Sequence, residues 1–457
     1  MAAEDVTSPR FKSDDEGEGD EEAKRDKKFV REELDSASKW DAKGVDVDKK
    51  MLEGRKANRG FTVAIGKSTA DDVDVADLRR GKRAQTLPAA NMRRGDHILN
   101  EDSLLALNQM NETLKARYRR GSVTVAITIL EDEVLKKTWE EKTIVHSHGI
   151  MTEGQAHSDE RERVCFNMED LPGPLPPIVS CHKGSKGFRD TTPNQDNFSI
   201  TYFKTGHNMA CAFDGHGPFG HIVSTRTVQT VPYYFVNSAK FPDDIKGALI
   251  EAFETSQKEL VAHSLQNSWD VQASGSTAVA CVWKDDTVWT ANAGDSRCVI
   301  GTETSRKMVF ETEDHKPNSE SEKARIEASG GEVRTQTYPD GWVNHRIFVK
   351  GEDYPGLCMA RTLGDQSVKE HGVIATPEVQ EVKVDLKDAP FILLASDGVW
   401  EFLDSEFVIK AVAKKIKSDG PARTVQKLQR EAKKRWRQEE GDYCDDITSV
   451  LIQLGPR

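Results

Sequence analysis

From Ile178 onward the chain is broken into short, almost wholly apolar runs separated by Asp, Gly and Asn. Examples are Met209-Ala-Cys-Ala-Phe213, Thr277–Trp283, Val288–Ala291 and Phe391-Ile-Leu-Leu-Ala395. Such runs read as strands. Because they lack polar alternation, both faces of each strand have to be covered, and the natural cover is a layer of helices. Helical intervals are predicted at Asp244–His263 and at Ser405–Lys417, the second extended by the basic stretch Ala422–Trp436. The C-terminal part of the chain is therefore expected to be an α+β domain.

Several of these runs begin or end on an acid. Phe213 is followed by Asp214-Gly-His216-Gly, Ser396 by Asp397-Gly, and the Val288 run by Asn292-Ala-Gly-Asp295-Ser-Arg297. Asp196 precedes Phe198–Phe203, and Asp445-Asp446 precedes Ile447–Leu454. Any one Asp-Gly is an ordinary tight turn, and Asp340-Gly341, with no strand leading into it, reads as one. Acids at many strand ends, however, can meet on one rim of a sheet. Such a group is unfavourable until cations neutralise it, and magnesium or manganese prefer oxygen ligands of this kind. Glycines at 215, 217 and 220 beside Asp214 leave the backbone bare for close approach.

In chain order, Asn194-Gln-Asp196, Phe213-Asp-Gly-His-Gly217, Gly275-Ser-Thr-Ala278, Asn292–Arg297, Asp314-His-Lys-Pro317, Pro355–Asp365, Ser396-Asp-Gly-Val-Trp400 and Asp445–Leu451 resemble the metal-dependent protein phosphatases of type 2C, most closely in the style of plant and protist members. The resemblance covers about residues 176–455. It implies an α-β-β-α sandwich of two antiparallel sheets flanked by helices, holding two Mg2+ or Mn2+ ions. By similarity Asp214 bridges both ions, the Gly215 carbonyl ligates one, Asp397 and Asp445 complete the set, and Asp196 orients the attacking water. Asp295, with Asp397 and the position of Glu401, matches a third and weaker site in which relatives usually carry Asp at the last position. The implied reaction is hydrolysis of phosphoserine or phosphothreonine, with His216 as general acid.

Two positions depart from that pattern. Gln195 stands where many relatives have a ligating Glu, so weaker binding of that ion is expected. Thr191 stands where they carry a phosphate-binding arginine, which leaves Arg189, or else Lys186, to clamp the phosphate. A catalytically weak or inactive pseudophosphatase that binds phosphoproteins, and a hydrolase of small phosphomonoesters, are the rival readings. Retention of Asp214, His216, Asp397 and Asp445 together disfavours the first of these.

At 457 residues the chain exceeds one ordinary domain. Residues 1–58 alternate acidic and basic clusters with little to bury and are expected to be a disordered tail. Residues 59–170 form an N-terminal extension, partly helical through Leu104–Tyr118, with short β-like runs at Phe61–Ile65 and Val123–Leu130. The phosphatase-like domain is assigned to 171–457, opening on the proline cluster Leu171–Pro177. Within the extension, Arg119-Arg-Gly-Ser122-Val matches a site for a basophilic kinase. Arg79–Arg83 is a poor nuclear-import signal or a solvated patch. Gly66-Lys-Ser68 misses P-loop spacing by one residue, Asp46-Val-Asp48 and Asp72-Val-Asp74 lack the rest of a calcium loop, and His146 and His148 are read as a surface linker. A net charge of −12 argues against nucleic acid as the main partner. Scattered cysteines and the absence of a spanning apolar stretch lead to the expectation of a protein off the membrane, cytoplasmic or also nuclear, with reduced thiols.

Overall fold

The computed structural model describes residues 129–149, 176–186, 192–337 and 343–455. The charged tail, the Phe61–Ile65 run, the Gly66-Lys-Ser68 triplet, the Leu104–Tyr118 stretch, Ser122, Arg189, Thr191 and the Asp340-Gly341 turn lie outside these residues.

Two antiparallel sheets carry the fold. In spatial order the first holds β1 (Thr143–His148), β3 (Asn197–Phe203), β4 (Asn208–Phe213), β5 (Ala278–Lys284), β6 (Thr287–Ala293) and β9 (Glu378–Lys383). The second runs β8 (Met308–Glu311), β7 (Arg297–Thr302), β10 (Pro390–Ala395), β11 (Ile447–Gln453) and β2 (Ile178–His182). The unbroken apolar runs now have a reason. Met209, Cys211 and Phe213 turn toward covering helices, while the alternate residues Ala210 and Ala212 join the core between the sheets. In the second sheet Phe391, Leu393 and Ala395 pack under helices, and Ile392 and Leu394 face inward. Both registers are apolar because both faces are buried.

Helices α1 (Asp132–Lys142), α2 (Gly220–Asn237), α3 (Ile245–Asn267), α4 (Glu320–Ala328), α5 (Ser405–Asp419) and α6 (Pro421–Glu440) are the longer ones among the described residues. α2 and α3 supply the core on the outer face of the first sheet, and α5 and α6 that on the second. Asp244 caps α3 by accepting the Gly247 N–H at 2.9 Å, and Asp404 caps α5 by accepting that of Phe407 at 3.0 Å. Gly420, at φ +81°, ends α5, and Pro421 opens a separate helix where the sequence reading had one extended helix. Helix α2 has no counterpart in that reading. It is rich in β-branched residues (Val223, Thr227, Val228, Thr230, Val231) and contains Pro232, a composition that reads as strand. Burial of one whole side of α2 against β3, β4 and α3 overrides propensity.

The edge strand β1 comes from upstream of the proline cluster, within the stretch assigned to the extension. It pairs with β3 from Thr143↔Phe203 to His148↔Ser199. The buried Arg226–Glu259 ion pair anchors its approach: Arg226 donates to the Leu130 carbonyl at 2.6 Å, and Glu259 accepts the Leu130 N–H at 3.4 Å. His146, expected in a surface linker, instead sits in this strand and stacks on Trp139 with ring centroids 3.9 Å apart. Burial holds its imidazole well below the usual pKa.

Between β8 and β9 lies a smaller unit built of α4, a hairpin pairing Gly331–Thr337 with Val343–Val349, and a third strand, Pro355–Leu357. Ile326, Ile347, Leu357, Ala360, Val368 and Val373 give it a core of its own. The described cysteines are free thiols, and no helix among the described residues is long and apolar enough to cross a membrane.

Candidate active site

Register explains how distant acids reach one end of the sandwich. In the β3/β4 pair Asn197 faces Phe213, so Asp196 and Asp214 leave the sheet side by side. In the β7/β10 pair Arg297 faces Ala395, and two steps further out come Asp295 and Asp397. Asp445 precedes β11, the neighbour of β10. The sheets are tied together at this end by Ser396, whose hydroxyl donates to Asp196 at 2.7 Å and accepts the Thr448 N–H at 3.0 Å. Thr277 holds Asp214 from both sides: its N–H donates to the Asp214 carbonyl at 2.9 Å and its hydroxyl accepts the Asp214 N–H at 3.1 Å.

The electrostatics are those of like charges forced together. Burial pushes the Asp214 carboxyl well above its usual pKa, and the charges of Asp196, Asp397, Asp445 and Asp295 push it further. Asp397 is raised by burial and then by Asp445 and Asp295. Asp196 is pushed up to about 7 by burial and Asp446. Asp445 goes the other way: burial would raise it, but the Lys186 ammonium 2.5 Å away holds it below the usual carboxylate range. Lys316 similarly contacts one oxygen of Asp295 at 2.6 Å.

Three carboxylate oxygens, Oδ1 of Asp196, of Asp295 and of Asp397, are buried with no hydrogen-bond partner among the described residues. Buried polar atoms are seldom left so, and hard anionic oxygens without donors fit divalent magnesium or manganese. No three His, Cys, Asp or Glu side chains among the described residues already stand as a ready coordination group. Lys186 and Lys316 instead draw Asp445 and Asp295 to themselves. At Gly215 a Cβ atom would lie 2.5 Å from the carbonyl oxygens of Gln195 and Gly220, so glycine alone lets the backbone pass this close. Gln195 is buried, with its amide N–H2 donating to the Gly217 carbonyl at 2.7 Å.

His216 stands two residues beyond Asp214, and its Nε2 is 2.8 Å from Oδ2 of Asp365. The structure thus gathers Asp196, Asp214, Gly215, His216, Gln195, Asp295, Asp397 and Asp445 at one end, while Arg189 is outside the described residues. Sequence reasoning gave no role to Asp365, Lys316 or Asp446. The first two lie within recognised segments, but nothing in their spacing says which partner they meet. Asp446 is spent on the backbone, accepting the N–H groups of Gly184 at 2.7 Å and Gln195 at 2.8 Å, which leaves Asp445 as the acid of that pair facing the cluster.

Comparison with known proteins gives the family. The family model described as protein phosphatase 2C matches residues 179–441. Probable protein phosphatase 2C 34 of Arabidopsis thaliana is 32% identical over 260 residues, covering 52% of this chain and 70% of that one. Probable protein phosphatase 2C 72 of the same plant is 32% identical over 315 residues, covering 64% and 90%. A crystal structure of a serine-threonine phosphatase 2C from Toxoplasma gondii superposes with a TM-score of 0.51 at 21% identity, over 62% of this chain and 96% of that one, and supports the fold. With its family model matched over more than half its length, the chain belongs to the protein phosphatase 2C family, and is by class a metal-dependent serine/threonine protein phosphatase.

Proposed function

We propose that the chain is catalytically active and hydrolyses phosphoserine and phosphothreonine in proteins. The observation that carries the reading is the meeting of buried, donor-less carboxylates from both sheets beside a histidine. A binding module would gain nothing from keeping such a cluster, since like charges held together weaken the fold unless cations join them. Asp214, the Gly215 carbonyl, Asp397, Asp445 and Gln195 would hold two divalent ions. Asp295, with Asp397 and Glu401, would supply a weaker third position against the competing ammonium of Lys316. Magnesium or manganese bound there would supply Lewis acidity, neutralising charge on the phosphoryl oxygens.

The chain's own residues do the rest. Asp196, with Oδ1 buried and free of donors, receives a hydrogen bond from the attacking water and sets its line of approach to phosphorus. As the P–O bond to the seryl or threonyl oxygen breaks, His216 gives that oxygen a proton. Arg189, or else Lys186, which pairs with Asp445 at 2.5 Å, would clamp the phosphoryl oxygens. On this reading the upstream region, with Ser122 as a site for a basophilic kinase, is regulatory, and the protein works in the cytoplasm, with nuclear entry open to it.

The test is turnover of a phosphothreonyl peptide with added Mn2+, followed by chelation and then by Asp214→Ala. Activity that needs the metal and the acid supports the reading. Binding of the phosphopeptide without turnover would replace it with a phosphoprotein-binding role, and preference for small esters over every phosphopeptide would change the substrate class.

A further inference from the structure

A small three-stranded sheet at the mouth of the site brings together segments far apart in the chain. Gly215-His216 pairs with Gly275-Ser276, which pairs in turn with Leu363-Gly364. The next residue, Asp365, thereby reaches His216 from 149 positions away and sets Oδ2 2.8 Å from Nε2. The histidine side chain is 12% exposed and the aspartate 2%.

The fold bears a cost to keep this contact. Asp365 adopts the left-handed conformation at φ +44°, which non-glycine residues seldom take. Its N–H is held by the Ser274 carbonyl at 2.9 Å, and the next two N–H groups go to Val271 and Gln272. Across the gap stands Gly275. A Cβ there would lie 2.1 Å from Oδ2 of Asp365 and 2.7 Å from Nε2 of His216, so any other residue would part the two side chains. The glycine at 275 and the sheet register together allow this contact. The Lys369 charge also acts on Asp365, its ammonium bonded to Thr362 at 2.6 and 2.9 Å.

We propose that Asp365 is the positioning residue for His216. Its carboxylate takes the N–H of Nε2 and fixes the ring plane, so that the N–H of Nδ1 serves the departing oxygen. In the step itself water oxygen bonds to phosphorus with both its protons staying on the phosphate product, the P–O bond to the side chain breaks with its electron pair staying on oxygen, and the Nδ1 proton moves to that oxygen and is regained from solvent. The inference rests on His216 being the general acid. Without Asp365 the ring rotates, and the proton is misplaced when it is needed.

A leaving group that needs no proton separates this role from simple bracing. The full chain with saturating Mn2+ is assayed on a phosphoseryl peptide, whose alkoxide leaves poorly, and on p-nitrophenyl phosphate, whose phenolate leaves unaided. Asp365→Ala is expected to lower kcat on the peptide by about 10- to 100-fold, part of what a positioned acid supplies, with KM little changed and the aryl ester within about threefold. Asp365→Asn, which keeps the shape and one acceptor oxygen, should fall between wild type and Asp365→Ala, and Mn2+ affinity by calorimetry should be unchanged in both. Combining Asp365→Ala with His216→Ala should cost no more on the peptide than His216→Ala alone. Equal losses on both substrates, or losses that multiply in the double variant, would overturn the proposal and leave a brace for the small sheet. If His216→Ala spares peptide turnover, the general-acid reading fails and takes the proposal with it, an outcome distinct from one in which only Asp365→Asn and Asp365→Ala are silent.

Discussion

Two buried carboxylate sites in this molecule have opposite electrostatics. Glu322, in α4 of the smaller unit, is gripped by Arg325 at 2.9 and 2.7 Å and by Arg361 at 2.7 Å. Burial would raise its pKa, but the two guanidinium groups prevail and hold it at about 2. At the sandwich rim Asp196 is buried and Asp214 and Asp397 are partly so, yet their neighbours are mostly other acids and their carboxyls are pushed upward. An acid supplied with its own cations is part of the scaffold. An acid cluster left short of them is a site that a soluble cation completes.

The sharpest way to break that distinction is to remove one acid from each place. Asp214→Ala should abolish phosphopeptide turnover, by about 10³-fold or more, since several kcal/mol of transition-state stabilisation go with the metals. The same change should leave the metal-free protein as stable as before or raise its melting temperature, because a repulsive charge is gone. Glu322→Ala should do the reverse in stability. Two guanidinium groups lose their partner, and as both are partly solvated the cost is about 2–3 kcal/mol, read as a lower urea midpoint. If both variants shift stability in one direction, the two sites are not different in kind.

The pH dependence of the metal-free protein sharpens the contrast by sign. Glu322 has a depressed pKa, so its stabilisation is complete above the ordinary carboxylate range and is lost as pH falls from about 4 to about 2. Asp196 has a raised one. Its unfavourable charge is absent below about pH 4 and develops as pH rises toward about 7, so stability declines through that window. The two effects are each expected to be about 2 kcal/mol, after allowing for solvent and coupling. Added Mn2+ should abolish the decline between pH 4 and 7 and leave the acid limb below pH 4 in place. Thermal melts across pH, with and without metal, would show it.

How much of this could be read beforehand follows the same division. The strand runs, the helical intervals starting at Asp244 and Ser405, and the acids at strand ends were legible because each is a local signal, such as apolar burial on both faces or a charge beside a glycine. Helix α2 was not, because its residues individually favour strand and only burial against β3, β4 and α3 makes it helical. Nor were the partners of the site residues. That Asp365 meets His216, that Lys316 meets Asp295 and that Asp446 holds two loops depend on register between segments up to 262 residues apart. The order of the motifs in the chain carries no such information.

The smallest effect tests whether the rim is tuned as well as built. Gln195 places a neutral amide where, by the resemblance, many relatives carry a ligating carboxylate, and its N–H2 group donates to the Gly217 carbonyl at 2.7 Å. Gln195→Glu therefore does two opposing things. It adds a negative ligand, which should tighten Mn2+ binding by about tenfold, or 1.4 kcal/mol. It also turns a donor into an acceptor facing the Gly217 carbonyl inside an already acidic cluster, so the metal-free protein should lose about 1–2 kcal/mol. Calorimetric titration reads the first and a melt in chelator the second. Tighter binding with a weaker apoprotein would mean that the wild-type glutamine trades metal affinity for a rim that folds without its ions. An affinity equal to wild type would show instead that Gln195 acts only as a brace for the loop carrying Gly217, and that the ions are held by Asp214, Asp397 and Asp445 without it.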